Sequence, residues 1–179
     1  GRARRMLVLL GRGAAWAAAA FMAWLFAVWP PPAWYRSHWP AETAMMRLRT
    51  RQDAEAARLR RYQPVPLDSI ARSMRIAAIT GEDDRFWDHR GVDWFAILHA
   101  MGYRRDALDL RDARARRDFR VALGRAWSRR DRIRGASTIT HQLAKNLYLS
   151  PSRNTPRKVK EAVTAWRLEL VLGKVRILE

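Results

Sequence analysis

The chain has 179 residues, of which 35 are Lys or Arg and 17 are Asp or Glu, so its formal net charge is +18. This length allows one domain with a short appendage. Hydrophobic residues make up 49% of the chain, which excludes a disordered polyelectrolyte. The absence of cysteine excludes a disulfide framework and a thiolate metal site. The positive charge indicates a polyanionic partner, such as nucleic acid, anionic lipid or a phosphorylated substrate.

Residues 1–35 have the pattern of a basic tip followed by a membrane anchor. Four arginines lie within residues 1–12, and no charged residue occurs in residues 13–35. As a helix, residues 13–29 would span roughly 25 Å, close to the hydrocarbon thickness of a bilayer. The prolines at 30–32 would end this helix. The positive-inside rule predicts a cytoplasmic N-terminus. A cleaved signal peptide and a buried helix of a soluble protein are the alternatives.

The rest of the chain is predicted to be helical, so the expected fold class is all-α. Residues 36–63 are interpreted as a charged helical stem, which ends at Pro64 and Pro66. Residues 64–179 show helical spacing of apolar residues and no alternating pattern of useful length for a strand. The last helix is expected to end near Gly173 and to bury Val159, Val163, Trp166 and Leu170 on one face. The expected helix N-caps are Asp68, Asp93, Ser137 and Thr155.

Residues 103–134 form an unusually basic segment, with twelve Arg and five Asp. Within it, Phe119, Ala122, Leu123, Ala126 and Trp127 follow one helical face. The pattern fits an interfacial helix on anionic lipid. It fits an amphipathic helix docked on the domain equally well.

Three stretches contain residue types that carry chemistry. In residues 82–91, four carboxylates repel one another, which favours proton uptake by one of them, as a general base needs. Alone, this stretch would also fit a solvated acidic turn or an Asp/His metal site. Residues 134–146 open a helix with small residues, whose free N–H groups can bind an anion, and Lys145 and Arg153 add positive charge. Residues 157–161 place Glu161 among cations. Alone, these two stretches would fit an ordinary capped helix and a surface ion-pair cluster.

The order and spacing of these stretches resemble a known family. Glu-Asp-x-x-Phe-x-x-His-x-Gly (82–91), Gly-Ala-Ser-Thr-Ile-Thr-x-Gln-Leu-Ala-Lys-Asn (135–146) and Arg-Lys-x-x-Glu (157–161) resemble the motifs of the family 51 glycosyltransferases, the peptidoglycan polymerases. Residues 132–138 are similar to the monofunctional biosynthetic transglycosylases. The resemblance covers residues 64–179 and implies a lysozyme-like helical glycosyltransferase domain with a smaller membrane-proximal lobe. Residues 177–179 are similar to the start of a fourth motif, so we expect the chain to be a fragment.

The resemblance also implies roles for individual residues. Glu82 matches the general base that deprotonates the 4-hydroxyl of the acceptor sugar, and Glu161 matches a second catalytic residue. His141 stands where the family usually has Gln. The residues that match substrate-binding positions are Asp83, Phe86, His89, Ser137, Thr138, Gln142, Lys145, Asn146, Arg153, Arg157, Lys158 and Lys160.

The implied reaction is the polymerisation of lipid II into β-1,4-linked glycan strands with release of undecaprenyl diphosphate. The implied location is the bacterial inner membrane, with one membrane span, a cytoplasmic N-terminus and a periplasmic or extracellular domain. The implied partners are lipid II, the nascent glycan strand, anionic membrane lipids and proteins of cell-wall synthesis or division, without nucleic acid. Participation of Mg²⁺ or another divalent cation stays open. The alternatives are a lysozyme-like glycan hydrolase, a membrane-tethered nucleic-acid-binding protein and an inactive scaffold.

Overall fold

The computed structural model describes residues 2–105, 107–128, 137–149 and 155–179. These residues form helices, turns and loops without any strand, which confirms the predicted all-α fold class. Two short 3₁₀ helices, Pro32–Arg36 and Leu67–Ser69, lie between longer elements. The α-helices in chain order are α1 (Arg2–Phe26), α2 (Ala44–Gln52), α3 (Ala54–Leu59), α4 (Arg72–Glu82), α5 (Trp94–Ala100), α6 (Ala113–Ser128), α7 (Ile139–Tyr148) and α8 (Thr155–Leu178).

Among the described residues, helix α1 packs against the rest of the chain near its C-terminal end. From Arg4 to Phe26 the helix is long and apolar enough to cross a membrane. Its last turn packs against α8, where Leu25 is only 6% exposed. The helix ends three residues before the predicted limit of residue 29, and the prolines at 30–32 follow.

The stem consists of two helices rather than one. The side chain of Thr43 caps α2 by accepting a hydrogen bond of 3.1 Å from the Met46 backbone N–H. Asp53 has extended backbone angles (φ −148°, ψ 97°) and separates α2 from α3. Helix α2 packs against α7. The stem therefore contacts the rest of the domain through α2.

Two of the predicted N-caps are corrected by the structure. Asp93 caps α5 as predicted, because its Oδ1 accepts a 2.9 Å hydrogen bond from the Ala96 N–H. Helix α7 is capped by Thr138 rather than by Ser137. Asp68 lies within the 3₁₀ helix Leu67–Ser69, so it caps no α-helix. The N-cap position of α4 is Ala71, which has no side-chain capping hydrogen bond, so only the start of α7 has a neighbouring residue as its cap.

Helix α8 crosses the centre of the domain, but its buried face is not the predicted one. Ala165 and Leu168 are fully buried and join Tyr35, Ala144 and Leu147 in the core. The predicted apolar face is largely open, since Val159, Trp166 and Leu170 are 42%, 45% and 54% exposed, respectively. At Gly173 the backbone leaves the helical region (φ 73°, ψ 163°), which confirms the predicted end, and a last helical segment follows.

Helix α6 lies in the arginine-rich segment and is docked on one side. Ala115 and Ala122 are buried, and the Phe119 ring meets the Tyr103 ring edge-to-face at 6.5 Å. Leu123 remains half exposed. The side chains of residues 126 and 127 lie outside the described part of the chain. Contact of this segment with lipid stays a prediction.

Candidate active site

The first and second motifs meet at the end of α4. Glu82 is the last residue of α4 and is exposed to solvent. Its Oε2 accepts a 2.7 Å hydrogen bond from Gln142 Nε2 on α7. The amide of Gln142 is neutral, so it orients the carboxylate without pairing its charge. Among the described residues, none donates a hydrogen bond to Oε1, and the side chain is exposed to solvent.

Asp83 joins the first motif to the start of α7. Its buried carboxylate accepts a 3.0 Å hydrogen bond from the Ile139 N–H, in the first turn of that helix. It also accepts from His89 Nε2, at 2.9 and 3.0 Å from the two oxygens. The helix N-terminus favours negative charge. Asp83 therefore accepts a hydrogen bond from one of the N–H groups that were predicted to bind an anion of the substrate.

Thr138 and Gly91 bring the first motif against α7 and α8. Thr138 Oγ1 donates a 2.6 Å hydrogen bond to the Gly91 carbonyl and accepts one of 3.1 Å from the His141 N–H. Gly91 has a positive φ of 84°, and a Cβ there would lie only 2.9 Å from the carbonyl oxygen of Ala165. The glycine therefore allows a close approach that any side chain would prevent.

His141 lies between the first and third motifs. Burial lowers its pKa from the ordinary value of 6.5 to about 4, so the ring is neutral near pH 7. The charges of Glu161, Lys158, His89 and Asp83 also act on it. Its Nδ1 lies 3.0 Å from Thr138 Oγ1. Since the hydroxyl proton of Thr138 goes to Gly91, we assign the ring proton to Nδ1, which donates to Thr138.

The buried position of His141 could have been read from the helical pattern. His141, Ala144 and Leu147 are three residues apart and share the buried face of α7. Sequence reasoning treated His141 only as a departure from the family pattern. The position of His141 on the apolar face of the predicted helix is the sequence feature that predicts its burial.

The third motif forms a buried ion cluster. Glu161 is 2% exposed, and its carboxylate contacts Arg157 Nη1 at 2.7 Å and Lys158 Nζ at 3.2 Å. A buried charge is stable only when it is paired and hydrogen-bonded. The Arg157 side chain is also buried, whereas 57% of the Lys158 side chain is exposed. Glu161 therefore fixes two cations, of which Lys158 faces solvent.

The predicted substrate-binding residues line two separate cavities. Lys145 and Asn146 line a cavity of about 850 Å³ between α2 and α7, together with Arg49 and Arg60 of the stem region. His89 and Lys158 belong to another cavity, of about 1010 Å³. Glu82 lies in the lining of neither cavity.

The remaining predicted residues have varied positions. Ser137 is exposed immediately before α7. Phe86 is fully buried, and Lys174 Nζ lies 4.3 Å from its ring centroid. Lys160 Nζ lies 4.7 Å from the ring centroid of Trp24 in α1. Arg153 lies outside the described residues.

Sequence reasoning missed Glu169, a buried carboxylate of α8. Its Oε1 accepts hydrogen bonds of 2.7 Å from Thr140 Oγ1 on α7 and from Lys174 Nζ. Because Lys174 also covers the Phe86 ring, this pair ties the first motif to α7 and α8. The five-residue spacing of Glu169 and Lys174 crosses the break at Gly173, so helical periodicity gave no signal for it.

The described residues contain no preformed cluster of metal ligands. No group of three or more His, Asp and Glu side chains that could hold a metal ion occurs among them. The carboxylate of Asp83 is engaged by His89 and Ile139, and that of Glu161 by two cations. We therefore derive no step through a metal.

Comparison with known proteins assigns the chain to a family. The family model described as Transglycosylase matches residues 50–110 and 115–179, which include all three motifs. The chain therefore belongs to the transglycosylase family.

Several curated relatives bear the name biosynthetic peptidoglycan transglycosylase. That of Bordetella pertussis is 38% identical over 162 residues, which are 89% of this chain and 58% of that protein. That of Azoarcus sp. strain BH72 is 37% identical over 173 residues, 95% of this chain and 65% of that protein. The Pasteurella multocida protein is 40% identical over 118 residues, 66% of this chain and 39% of that protein. The chain thus spans less than two-thirds of the length of these relatives. No solved structure matches the chain significantly.

Proposed function

We propose that the protein is a membrane-anchored peptidoglycan glycosyltransferase, which polymerises lipid II into β-1,4-linked glycan strands and releases undecaprenyl diphosphate. The observation that carries this proposal is the hydrogen bond between Glu82 and Gln142. It joins the first motif to the second in a chain of the transglycosylase family, and it orients a carboxylate while leaving one of its oxygens open.

Glu82 is proposed to act as the general base. Its open oxygen takes the proton of the acceptor 4-hydroxyl while that hydroxyl oxygen forms a bond to C1 of the donor sugar. The bond between C1 and the phosphate oxygen breaks, its electron pair leaves with the diphosphate, and C1 inverts. The leaving group is already activated, so the reaction needs no protein nucleophile.

The cations of the second motif are proposed to stabilise the departing diphosphate, and those of the third motif to orient the substrate. Negative charge develops on the leaving group, and fixed cations in a partly dehydrated cleft stabilise it. Lys145 supplies one such charge in the cavity beside α2, and Lys158 is held by Glu161. Ser137, Asn146 and Arg153 remain proposed substrate contacts, and Asp83, His89 and Thr138 support the site from within.

Helix α1 is proposed to cross the bacterial inner membrane once, with its arginine-rich start in the cytoplasm. The domain would then lie on the periplasmic or outer face, close to anionic lipid headgroups and to proteins of cell-wall synthesis or division. Protease added to spheroplasts should digest the domain and leave a short anchored fragment. Protection of the whole domain would contradict this topology.

The experiment that tests the function uses the full chain in lipid vesicles with labelled lipid II. We expect glycan polymer from the parent protein and none from Glu82→Gln. Cleavage of finished glycan without polymer formation would instead indicate a hydrolase. Absence of any product from a folded parent protein would contradict the proposal and leave an inactive scaffold.

A further inference from the structure

The C-terminal end of α1 is held by an arginine of α8. Arg167 Nη1 donates a 2.7 Å hydrogen bond to the carbonyl oxygen of Phe26, the last residue of α1, and its guanidinium lies 5.3 Å from the Phe26 ring centroid. The last four carbonyls of a helix lack partners within the helix, and a cation near them is favourable. Arg167 thus caps the membrane helix from outside.

A lysine of the same helix holds the preceding turn of α1. The ammonium of Lys160 lies 4.7 Å from the centroid of the Trp24 ring, and the residue is only 8% exposed. Burial, and secondarily the charge of Arg167, lower its pKa. The face of an indole ring is the best aromatic partner for such a cation. Lys160 and Arg167 are seven residues apart, two helical turns, so they project from the same side of α8.

We propose that Lys160 and Arg167 form a clamp that fixes the last turn of α1 on α8 and so sets the height of the candidate site above the membrane. Lys160 directly precedes Glu161, which holds Arg157 and Lys158. Any movement of α8 relative to α1 would move these groups too. Lys160 thus has a positioning role, which differs from the substrate-binding role that the motif resemblance implies for it.

The length of α1 puts this clamp at the membrane surface. The 23 residues from Arg4 to Phe26 rise about 34 Å, slightly more than the ~30 Å hydrocarbon core of a bilayer. Phe26 therefore lies at the interface, and Trp24 occupies the level where tryptophan is enriched. The exposed stripe of Val159, Trp166 and Leu170 lies on the neighbouring side of α8. With α1 across a bilayer, this apolar surface would face the lipid.

The clamp itself is tested by a double-mutant cycle on the full chain in detergent micelles. Trp24→Leu and Lys160→Met should each lower the melting temperature by about 2–4 °C, the shift expected for the loss of one such contact. The double variant should lose no more than the larger single loss, because the two residues share one interaction. Lys160→Arg should retain the melting temperature, since arginine also binds aromatic faces. Arg51→Gln, at an exposed arginine of α2, is the matched control. Additive losses would overturn the proposal.

The consequence for catalysis rests on the proposed function and is measured separately. Trp24→Leu and Arg167→Gln, both outside the three motifs, should raise the KM for lipid II in vesicles by about tenfold or more. The same variants should process a short-chain, water-soluble donor within about twofold of the parent, because that donor needs no fixed height above a bilayer. Equal losses with both donors would overturn the positioning role. If the parent polymerises neither donor, the proposed function fails, while the melting-temperature cycle still decides the clamp.

Discussion

Glu82 and Glu161, the two carboxylates that the sequence motifs predict to be catalytic, have opposite surroundings. Glu82 is exposed at the end of α4 and contacts one neutral amide, from Gln142. Glu161 is buried in α8 and contacts two cations, Arg157 and Lys158. An open carboxylate can accept a proton from a substrate, whereas a buried and doubly paired one holds its partners in place. We therefore propose a division of roles, in which Glu82 acts as a base and Glu161 organises cations.

Removing the charge of Glu82 tests the first half of this division and should have the largest effect on turnover. Glu82→Gln should reduce polymerisation by about 10²–10⁴-fold, the usual contribution of a general base. The side chain is exposed, so stability should change by no more than about 0.5 kcal/mol. The rate of polymer formation and a thermal melt of the same sample check both statements. Turnover close to that of the parent would contradict the assignment of the base.

The same substitution at Glu161 should act mainly on stability. Glu161→Gln leaves the buried guanidinium of Arg157 facing an uncharged amide, which should cost about 3–5 kcal/mol in the free energy of unfolding. Denaturant unfolding of the full chain in micelles measures this change. Lys158→Gln is the control, since that partner is largely exposed and its pair should contribute at most about 1 kcal/mol. If the two variants lose equal free energy of unfolding, the buried pair of Glu161 with Arg157 does not contribute more than the exposed pair with Lys158.

The packing between the two carboxylate regions depends on Gly91. Gly91→Ala should destabilise the protein by about 2–4 kcal/mol, because alanine is strained at a positive φ and overpacks the contact with α8. Gly81→Ala is a matched control one residue before Glu82, in a helix where a Cβ meets no atom within 4 Å, and it should be neutral or stabilising. Chemical denaturation of both variants measures the contrast. If Gly91→Ala is as stable as the parent, the first motif does not need this close approach.

A pH dependence due to His141, which lies between the two regions, should develop gradually over more than two pH units. Its pKa is lowered by burial to about 4, so the unfolded chain binds a proton there more readily than the folded chain. Stability should therefore fall as the pH decreases from about 6.5 to 4, by at most about 1.4 kcal/mol per pH unit. His141→Gln should reduce this slope, and unfolding curves measured across that pH range test it. An unchanged slope would show that His141 is not the group responsible.

Much of the architecture follows from local sequence. The apolar run in residues 13–29, the helical spacing elsewhere and the capping oxygen of Asp93 depend on neighbours in the chain, so they predict the membrane helix, the all-α class and the start of α5. The contact of Glu82 with Gln142 was not predicted, because the family resemblance implied only that each residue belongs to the site. The stretches matched by the transglycosylase family model include the same three motifs.

Tertiary structure decided which face of each helix is buried against another element. Periodicity identified an apolar stripe on α8, but the core lies on the side of Ala165 and Leu168, so the stripe is exposed. Lys160 turns to Trp24, a residue 136 positions earlier in the chain, and no local pattern encodes such a contact. The burial that makes His141 neutral arises from the same packing of α7 on α8. Sequence alone determines periodicity and caps, because these act over a few residues, whereas the choice of partner depends on groups that meet only when the chain is folded.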